Sequence, residues 1–519
     1  MRATLEAEPT DYLTVTIIGE YLDREAEPGT IAVADVTSGG LTSPFNQRDG
    51  FNDLLDDNDF ALNDPNFVES ETTSFTGLVN WRVGSFTVDS ITSYRSYDLE
   101  GAQDSDGTEL TLFNNFGSFR NEQFSQELRI ASDPDQRLSW LAGLYYIDEE
   151  NEMNPFVINN INAFFGLGTR ADFRAFQDLE SAAAFANVDY ELTDQLTLTL
   201  GGRYSWEEKS FDSTRIVDTI RAGFFPPAGI QLPAGAPVVP ETQFIDKEDW
   251  TDFSPRVVLT YQASDSLMIY GSFSQGFKSG GFNSFGLTPA FEPEEIDAWE
   301  IGLKSDLAGG LARVNASAFY YDYTDLQVRL GVPTGGVDIQ NAAEAEIAGA
   351  ELDITLLPVE DLRLDIQVAY LDATFSDGEL PTVPPDVQFP IGAPIPLINE
   401  ELDGNYLSRA PEWQVNLAAE YRWPLARGGE VALRSTFFWH SETFFLETNQ
   451  DQPTFQANDR KEANVRLSYL SPNEGWEVGI YGQNIFDERR VTQISQLGSF
   501  PNAAINEPAK YGFDLRWNF

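Results

Sequence analysis

Cysteine is absent from the 519 residues, histidine occurs once and methionine three times. The missing thiols exclude a disulfide framework and any thiolate metal site, and suit a chain that crosses an oxidising compartment unfolded. A single histidine excludes a His-rich metal cluster and leaves His440 as the one imidazole a Ser-His-Asp arrangement would have to use. Basic residues are scarce, 32 against 83 acidic ones, and the resulting charge of −51 argues against nucleic acid as a partner, because a phosphate backbone needs a basic footprint. No run of about 18 apolar residues occurs, so a helical membrane span is excluded. Also lacking are a Pro-, Gly- or Ser-rich linker and, after Met1, a charged and then apolar leader. The first predicts one large architecture; the second predicts that no signal peptide is included.

What is present is aromatic. Phe, Tyr and Trp make up 13% of the chain while mean hydropathy is only −0.29. That combination fits strands that alternate a lipid face with a wet face, for which average hydropathy stays unremarkable. The alternation is plainest at the end of the chain, where Tyr511, Phe513, Leu515, Trp517 and Phe519 interleave with Gly512, Asp514, Arg516 and Asn518. It recurs in Leu196, Leu198, Leu200, Gly202, Tyr204 and Trp206 against polar neighbours, and less cleanly in Ala312 to Tyr320.

The connections sort into two kinds. Short ones contain Pro9-Thr10-Asp11, Asp133-Pro134-Asp135, Thr193-Asp194, Ser264-Asp265, Ala308-Gly309, Val359-Glu360 and Pro472-Asn473-Glu474. Between them lie long segments at 26–73, 101–120, 153–177, 213–250, 278–294, 377–406 and 487–508, rich in Asn, Asp, Gly, Pro and Phe. Tight turns on one side and long loops on the other is the plan of a transmembrane antiparallel β-barrel, with turns in the periplasm and loops outside. Counting hairpins up to Phe519 predicts about 19 strands. Packed soluble β-domains would instead repeat at a fixed length, and no such period is seen.

Several motifs carry a resemblance. Ser125-Gln126-Glu127-Leu128-Arg129, Ser254-Pro255-Arg256, Gly276-Phe277-Lys278-Ser279-Gly280-Gly281-Phe282-Asn283 and Trp299-Glu300-Ile301-Gly302-Leu303-Lys304 resemble the recurrent barrel motifs of TonB-dependent receptors. So do Gly349-Ala350-Glu351-Leu352, Arg409-Ala410-Pro411-Glu412-Trp413, Gln483-Asn484-Ile485-Phe486-Asp487-Glu488, and Pro508 followed by Tyr511-Gly512 and Phe519. The style is closest to the ferric-siderophore group. The resemblance implies a barrel of about 22 strands closed around an N-terminal plug, so that residues 1–519 read as strands four onward, with signal peptide, TonB box and plug lying upstream. It further implies a cell outer-membrane location, contact with lipid and lipopolysaccharide, energy from the TonB complex through the missing plug, and a ferric siderophore as cargo. Haem, vitamin B12 and glycans stay open as cargo, and a plugless passive channel or a non-functional fragment stays open as an alternative. By itself, a sheet of nineteen strands would have to close with altered shear or fail to insert, since open edges in hydrocarbon leave backbone groups unpaired.

Candidate site residues follow. Lys278, Phe282 and Asn283 lead from a strand into a long loop and are candidate ligand contacts; the neighbouring glycines equally suit a structural kink at the rim. Phe224-Phe225-Pro226-Pro227, with Phe156, Phe164 and Phe165, could grip a bulky ligand or pack the loops on one another. Tyr511, Phe513, Leu515, Trp517 and Phe519 resemble the signal read by the barrel-insertion machinery. Acidic clusters at Asp53, Asp56, Asp57 and Asp59 and at Asp104, Asp106 and Glu109 read as solvated loops rather than metal sites. His440, within Phe437-Phe438-Trp439-His440-Ser441, reads as a histidine of the interface girdle. No catalytic residue, metal or cofactor is expected, and the chain reads as non-enzymatic.

Overall fold

The computed structural model describes residues 1–26, 32–33, 66–104, 113–162, 167–221, 239–285, 287–331, 337–382, 398–449, 456–457, 459–497 and 500–517. Among these no α-helix occurs, and nineteen long strands form one antiparallel sheet. In order they are Arg2–Thr10, Leu13–Ala26, Phe67–Val83, Phe86–Asp104, Phe113–Ser132, Leu138–Asn162, Leu167–Thr193, Leu196–Arg221, Val239–Ser264, Leu267–Lys278, Glu294–Leu307, Ala312–Gly331, Val337–Val359, Leu362–Thr382, Trp413–Pro424, Glu430–His440, Arg460–Leu470, Trp476–Gln483 and Lys510–Trp517. Each pairs with its neighbours in this order, so the topology is a plain meander. A short strand, Ile398–Glu401, extends the sheet beside the upper end of Leu362–Thr382. The outer edges of Arg2–Thr10 and Lys510–Trp517 have no partner among the described residues.

Side-chain parity assigns the two faces. Along Leu196–Arg221, Leu200 and Tyr204 are exposed while Ser205, Phe211 and Ser213 are buried; along Leu167–Thr193, Phe176 and Tyr190 are exposed while Phe173, Ala175 and Ser181 are buried. One face is therefore an apolar surface open to lipid and the other lines a lumen. On the outward face, aromatic residues collect in two rows. The row near the tight turns includes the pairs Phe86 with Trp140, Tyr421 with Trp423 and Tyr469 with Trp476; the row near the loops includes Trp299 with Tyr320 and Tyr370 with Trp413. Paired girdles are what a sheet crossing two membrane–water interfaces presents, because an amphipathic ring suits the headgroup level.

Two differences from the sequence reading concern connections. Tight turns also occur at Gly84-Ser85, where Gly84 has φ 63°, and between Leu425 and Gly429. Positive φ explains the glycine at 84. The strands also run further than the alternation predicts: Leu138–Asn162 and Leu167–Thr193 stay paired up to Asn162 opposite Leu167, well inside the expected 153–177 loop. Above the membrane both faces of a strand are wet, so the pairing continues without a hydropathy contrast to reveal it.

Candidate functional site

The loop between Lys278 and Glu294 turns into the lumen. Gly281 and Phe291 exchange two backbone hydrogen bonds, 3.0 and 2.8 Å, closing the segment on itself. Gly280 is required because a Cβ there would lie 2.7 Å from the Trp250 ring, and Gly281 because a Cβ would meet the Phe291 ring at 2.8 Å. The closed loop lays Phe282 flat on Phe211, with centroids 5.1 Å apart and planes within 3°. Phe285 meets Phe173 edge-on at 4.9 Å and Phe156 at 5.4 Å. Around these rings pack Met153, Ile158, Ala171 and Ala175. Phe173, Ala175 and Phe211 are lumen-facing by parity, so the loop spans the inner face of four neighbouring strands.

Polar anchors hold both flanks. On one side the Lys209 ammonium donates to the Gly280 carbonyl at 2.6 Å, pairs with Glu207 at 2.9 Å and sits over the Trp250 ring; the Trp250 indole in turn donates to Glu292 at 3.1 Å. On the other, the buried Asn283 side chain donates to the Ile339 carbonyl and accepts from its N–H, at 2.9 and 2.7 Å. Asn341 does the same for Glu292, at 2.8 and 2.7 Å, and Gln327 donates to the Ser279 carbonyl at 3.0 Å. Side-chain bonds from several strands to one loop favour a single conformation of it.

A second segment, 402–409, runs beside the upper end of Leu362–Thr382, where Tyr406 bridges antiparallel to Thr374. Leu402 is fully buried with Val328, Leu330, Ala345, Phe375 and Leu380, and Leu407 donates its N–H to Ala373. The 441–449 loop caps it: Asn449 accepts from the Tyr406 N–H at 2.6 Å and donates to its carbonyl at 2.7 Å. In this capping loop, burial pushes the Glu447 carboxyl above its ordinary value, against the opposing pull of Ser408, Arg329 and Arg409. Segment 484–490 is pinned likewise, with the Asn484 amide donating to the Glu488 and Glu507 carbonyls and Asn506 accepting from the Arg490 N–H.

Of the residues expected at the site, Lys278 has a side chain 60% exposed and pairs with Glu294 at 3.6 Å. Phe282 and Asn283 are buried beneath the loop. Phe224, Phe225, Phe164 and Phe165, the 53–59 cluster, Asp106, Glu109 and Phe519 lie outside the described residues. Asp104 is buried. Tyr511, Phe513, Leu515 and Trp517 share the outward face and are 60–81% exposed. His440 is corrected from a girdle residue to a lumen-side one: it pairs with Arg460 across the ladder and shares parity with Phe438, whose ring it meets edge-on at 5.6 Å, whereas exposed Leu433 marks the opposite face. Aromatics on both faces of Phe437-Phe438-Trp439-His440 hid that parity in the sequence. Lys209, Trp250, Gln327, Asn341 and Arg460 were not singled out from the sequence. For Lys209 a signal existed, a cation on the inward parity among acids.

The TonB dependent receptor-like, beta-barrel family matches residues 20–485, and the chain belongs to that family. It is an outer-membrane β-barrel. Among curated relatives, the pesticin receptor of Yersinia enterocolitica is 23% identical over 416 residues, 77% of this chain and 52% of the relative. The metal-pseudopaline receptor CntO of Pseudomonas aeruginosa is 32% identical over 127 residues, 24% of this chain and 17% of its own length. Thus the chain spans about half the length of the pesticin receptor. In structure it is similar to the ferric yersiniabactin uptake receptor FyuA of Yersinia pestis, with TM-score 0.77 at 17% identity over all of this chain and 70% of that one. The siderophore receptor PiuA of Acinetobacter baumannii gives TM-score 0.70 at 14% identity, over 99% of this chain and 73% of that one.

Proposed function

We propose that residues 1–519 are one barrel domain of a receptor that imports a ferric siderophore across the outer membrane, energised by the TonB complex through a plug held in the lumen. The reading rests above all on the inward-folded segment at 279–293. It is locked by side-chain hydrogen bonds and offers a shaped surface at the loop end of the lumen, as selective capture requires. Relatives named for ferric yersiniabactin and for metal-pseudopaline support a metal chelate as cargo. Lys278 contacts the ligand from the exposed side of the loop, Phe282 and Asn283 hold that side in place, and Phe224 and Phe225 add aromatic surface. The outward row Tyr511, Phe513, Leu515, Trp517 and Phe519 faces lipid below the lipopolysaccharide and is read by the barrel-insertion machinery. The protein is a transporter and not an enzyme.

The test is uptake of radiolabelled ferric siderophores by a Gram-negative host that lacks its own receptors and expresses the complete gene. Uptake that disappears when TonB is deleted is the expected result. Uptake independent of TonB would replace this reading with a passive channel, and no uptake across siderophore classes would remove it.

A further inference from the structure

We infer that the lipid-facing side of Phe67–Val83, Phe86–Asp104 and Phe113–Ser132 is a contact between two copies of this chain within the membrane. The inference is independent of the cargo and needs only the barrel in its bilayer.

Outward parity on these strands is marked by Phe75, Val79, Tyr94, Phe124 and Leu128, all exposed. Three polar side chains share that face: Ser90, Thr92 and Gln126, with Thr92 opposite Gly77 on one side and opposite Gln126 on the other. Ser90 and Thr92 stand between Phe86, of the ring near the tight turns, and Tyr94, whose hydroxyl donates to Glu122 at 3.3 Å where the face returns to water. At about 3.3 Å per residue and a tilt near 45°, they lie roughly 9–14 Å into an apolar band about 25 Å tall. A polar group at that depth faces hydrocarbon, where no water replaces a hydrogen bond left unmade.

The three side chains are partly joined. The Thr92 hydroxyl donates to the Gln126 side-chain oxygen at 2.6 Å, and the Gln126 amide donates to Ser90 Oγ and to the Glu127 carbonyl, both at 3.0 Å. That uses both amide protons of Gln126. Among the described residues the Ser90 hydroxyl donates to no acceptor, and Thr92 Oγ1 receives no donor. One patch therefore carries an unused donor and an unused acceptor at the same depth. A two-fold axis along the membrane normal sets the patch against itself, so that Ser90 of each copy can donate to Thr92 of the other, as a self-complementary contact requires.

The shape agrees. A Cβ on Gly77 would meet nothing within 4 Å, which leaves an open dent beside Thr92. Phe75 and Phe124 stand at its rim, and a ring of each copy can enter the dent of the other. Nearer the loops the same outward face carries Asp98, Glu100 and Glu122, of which Arg120 takes Asp98 at 3.8 Å and Glu122 at 2.5 Å. The excess of acid repels a second copy, so salt should tighten this contact, whereas it would loosen one made by ion pairs.

These 519 residues contain no cysteine, so a single introduced thiol reports the contact. Val79→Cys, on the patch, and Leu259→Cys, exposed on the lipid face of Val239–Ser264, are compared by mild oxidation in lipid vesicles. The protein is the product of the complete gene, with any cysteine outside these residues replaced by serine. Val79→Cys should give a disulfide-linked dimer and Leu259→Cys should not. Adding Gly77→Leu should slow linkage through Val79→Cys roughly tenfold while the heat-dependent gel shift of the folded barrel is unchanged, and added salt should speed it. Equal linkage through the two cysteines, linkage indifferent to Gly77→Leu, or linkage that slows as salt rises overturns the proposal.

Discussion

The side chain of Asn283 and the backbone of Ile339 bond to each other twice, donor to acceptor in both directions, across 56 residues of sequence. The amide thereby acts as one more rung of a ladder and ties the 279–293 loop to the strand Val337–Val359. Asn283→Ala should leave both backbone groups of Ile339 unpaired in a buried place, at about 1–3 kcal/mol each. Amide hydrogen exchange should therefore accelerate in 279–293 while the membrane-spanning ladder stays protected. Unchanged exchange in that loop would show that its other anchors suffice.

Phe173 is fully buried and meets Phe285 edge-on at 4.9 Å. Removing the ring empties the site beneath the loop, a change that costs roughly 3–5 kcal/mol in a packed core. Phe173→Ala should free the loop locally, so limited proteolysis should cut within 279–293. Phe176→Ala, on the lipid face of the same strand, should not.

How much of this was legible in the sequence depends on hydropathy contrast. Where lipid touches one face, as at Leu196 to Trp206 and Tyr511 to Trp517, alternation reveals the strand, its face and its place in a meander. Above the membrane the long strands carry runs such as Asp148-Glu149-Glu150 of Leu138–Asn162, polar on both faces, so their continuation could not be read. The turn at Gly84-Ser85 was missed because Val83 and Phe86 flank it without a Pro or Asn to mark a break. The Gly276 to Asn283 stretch was findable as a motif, whereas its partners Lys209, Gln327 and Ile339 are 48–71 residues from the loop residues they bind, Gly280, Ser279 and Asn283, and only the register of the sheet brings them there.

Glu447 supplies a pH test. Burial raises its folded-state pKa above the ordinary 4.5, so the folded loop holds the proton more tightly than the unfolded chain does. Its stabilising contribution is then fully present below about pH 4.5 and is lost as pH rises through the folded value. Hydrogen exchange in 441–449, corrected for its intrinsic pH dependence, should show greater opening at neutral pH than at pH 4. Glu447→Gln should abolish the difference; a slope that persists would assign it to another group.

Arg466 joins Asp514, on the last strand, to Glu477 on the strand between, which is 3.1 Å away. The Arg466 side chain is 32% exposed and that of Asp514 41%, so water screens the pair and the clamp is worth about 1 kcal/mol. Arg466→Met should therefore fray Lys510–Trp517 first, seen as faster exchange there and a lower temperature for the barrel's heat-dependent gel shift. Phe513→Asp, on the outward face, should instead reduce the yield of inserted protein in an assembly assay with purified insertion machinery. An unaffected yield would remove the targeting role from this residue.

Strand length varies around the sheet: Leu138–Asn162, Leu167–Thr193, Leu196–Arg221 and Val239–Ser264 have 25 to 27 residues, while Glu430–His440, Arg460–Leu470, Trp476–Gln483 and Lys510–Trp517 have 8 to 11. At about 3.3 Å per residue and a tilt near 45°, one rim stands roughly 35 Å taller than the other. The tall rim is a continuous palisade, in which any bend breaks ladder bonds. Over the low rim the cover is made of separate pieces, among them the hairpin of Val491–Leu497 and Phe500–Ile505, which among the described residues pairs with Ala32–Val33 and not with the wall. The hairpin meets the wall through the 484–490 segment, where Asn484 and Asn506 hold its two feet. The vessel therefore has a pouring lip, on the side of the short strands from Glu430–His440 to Lys510–Trp517.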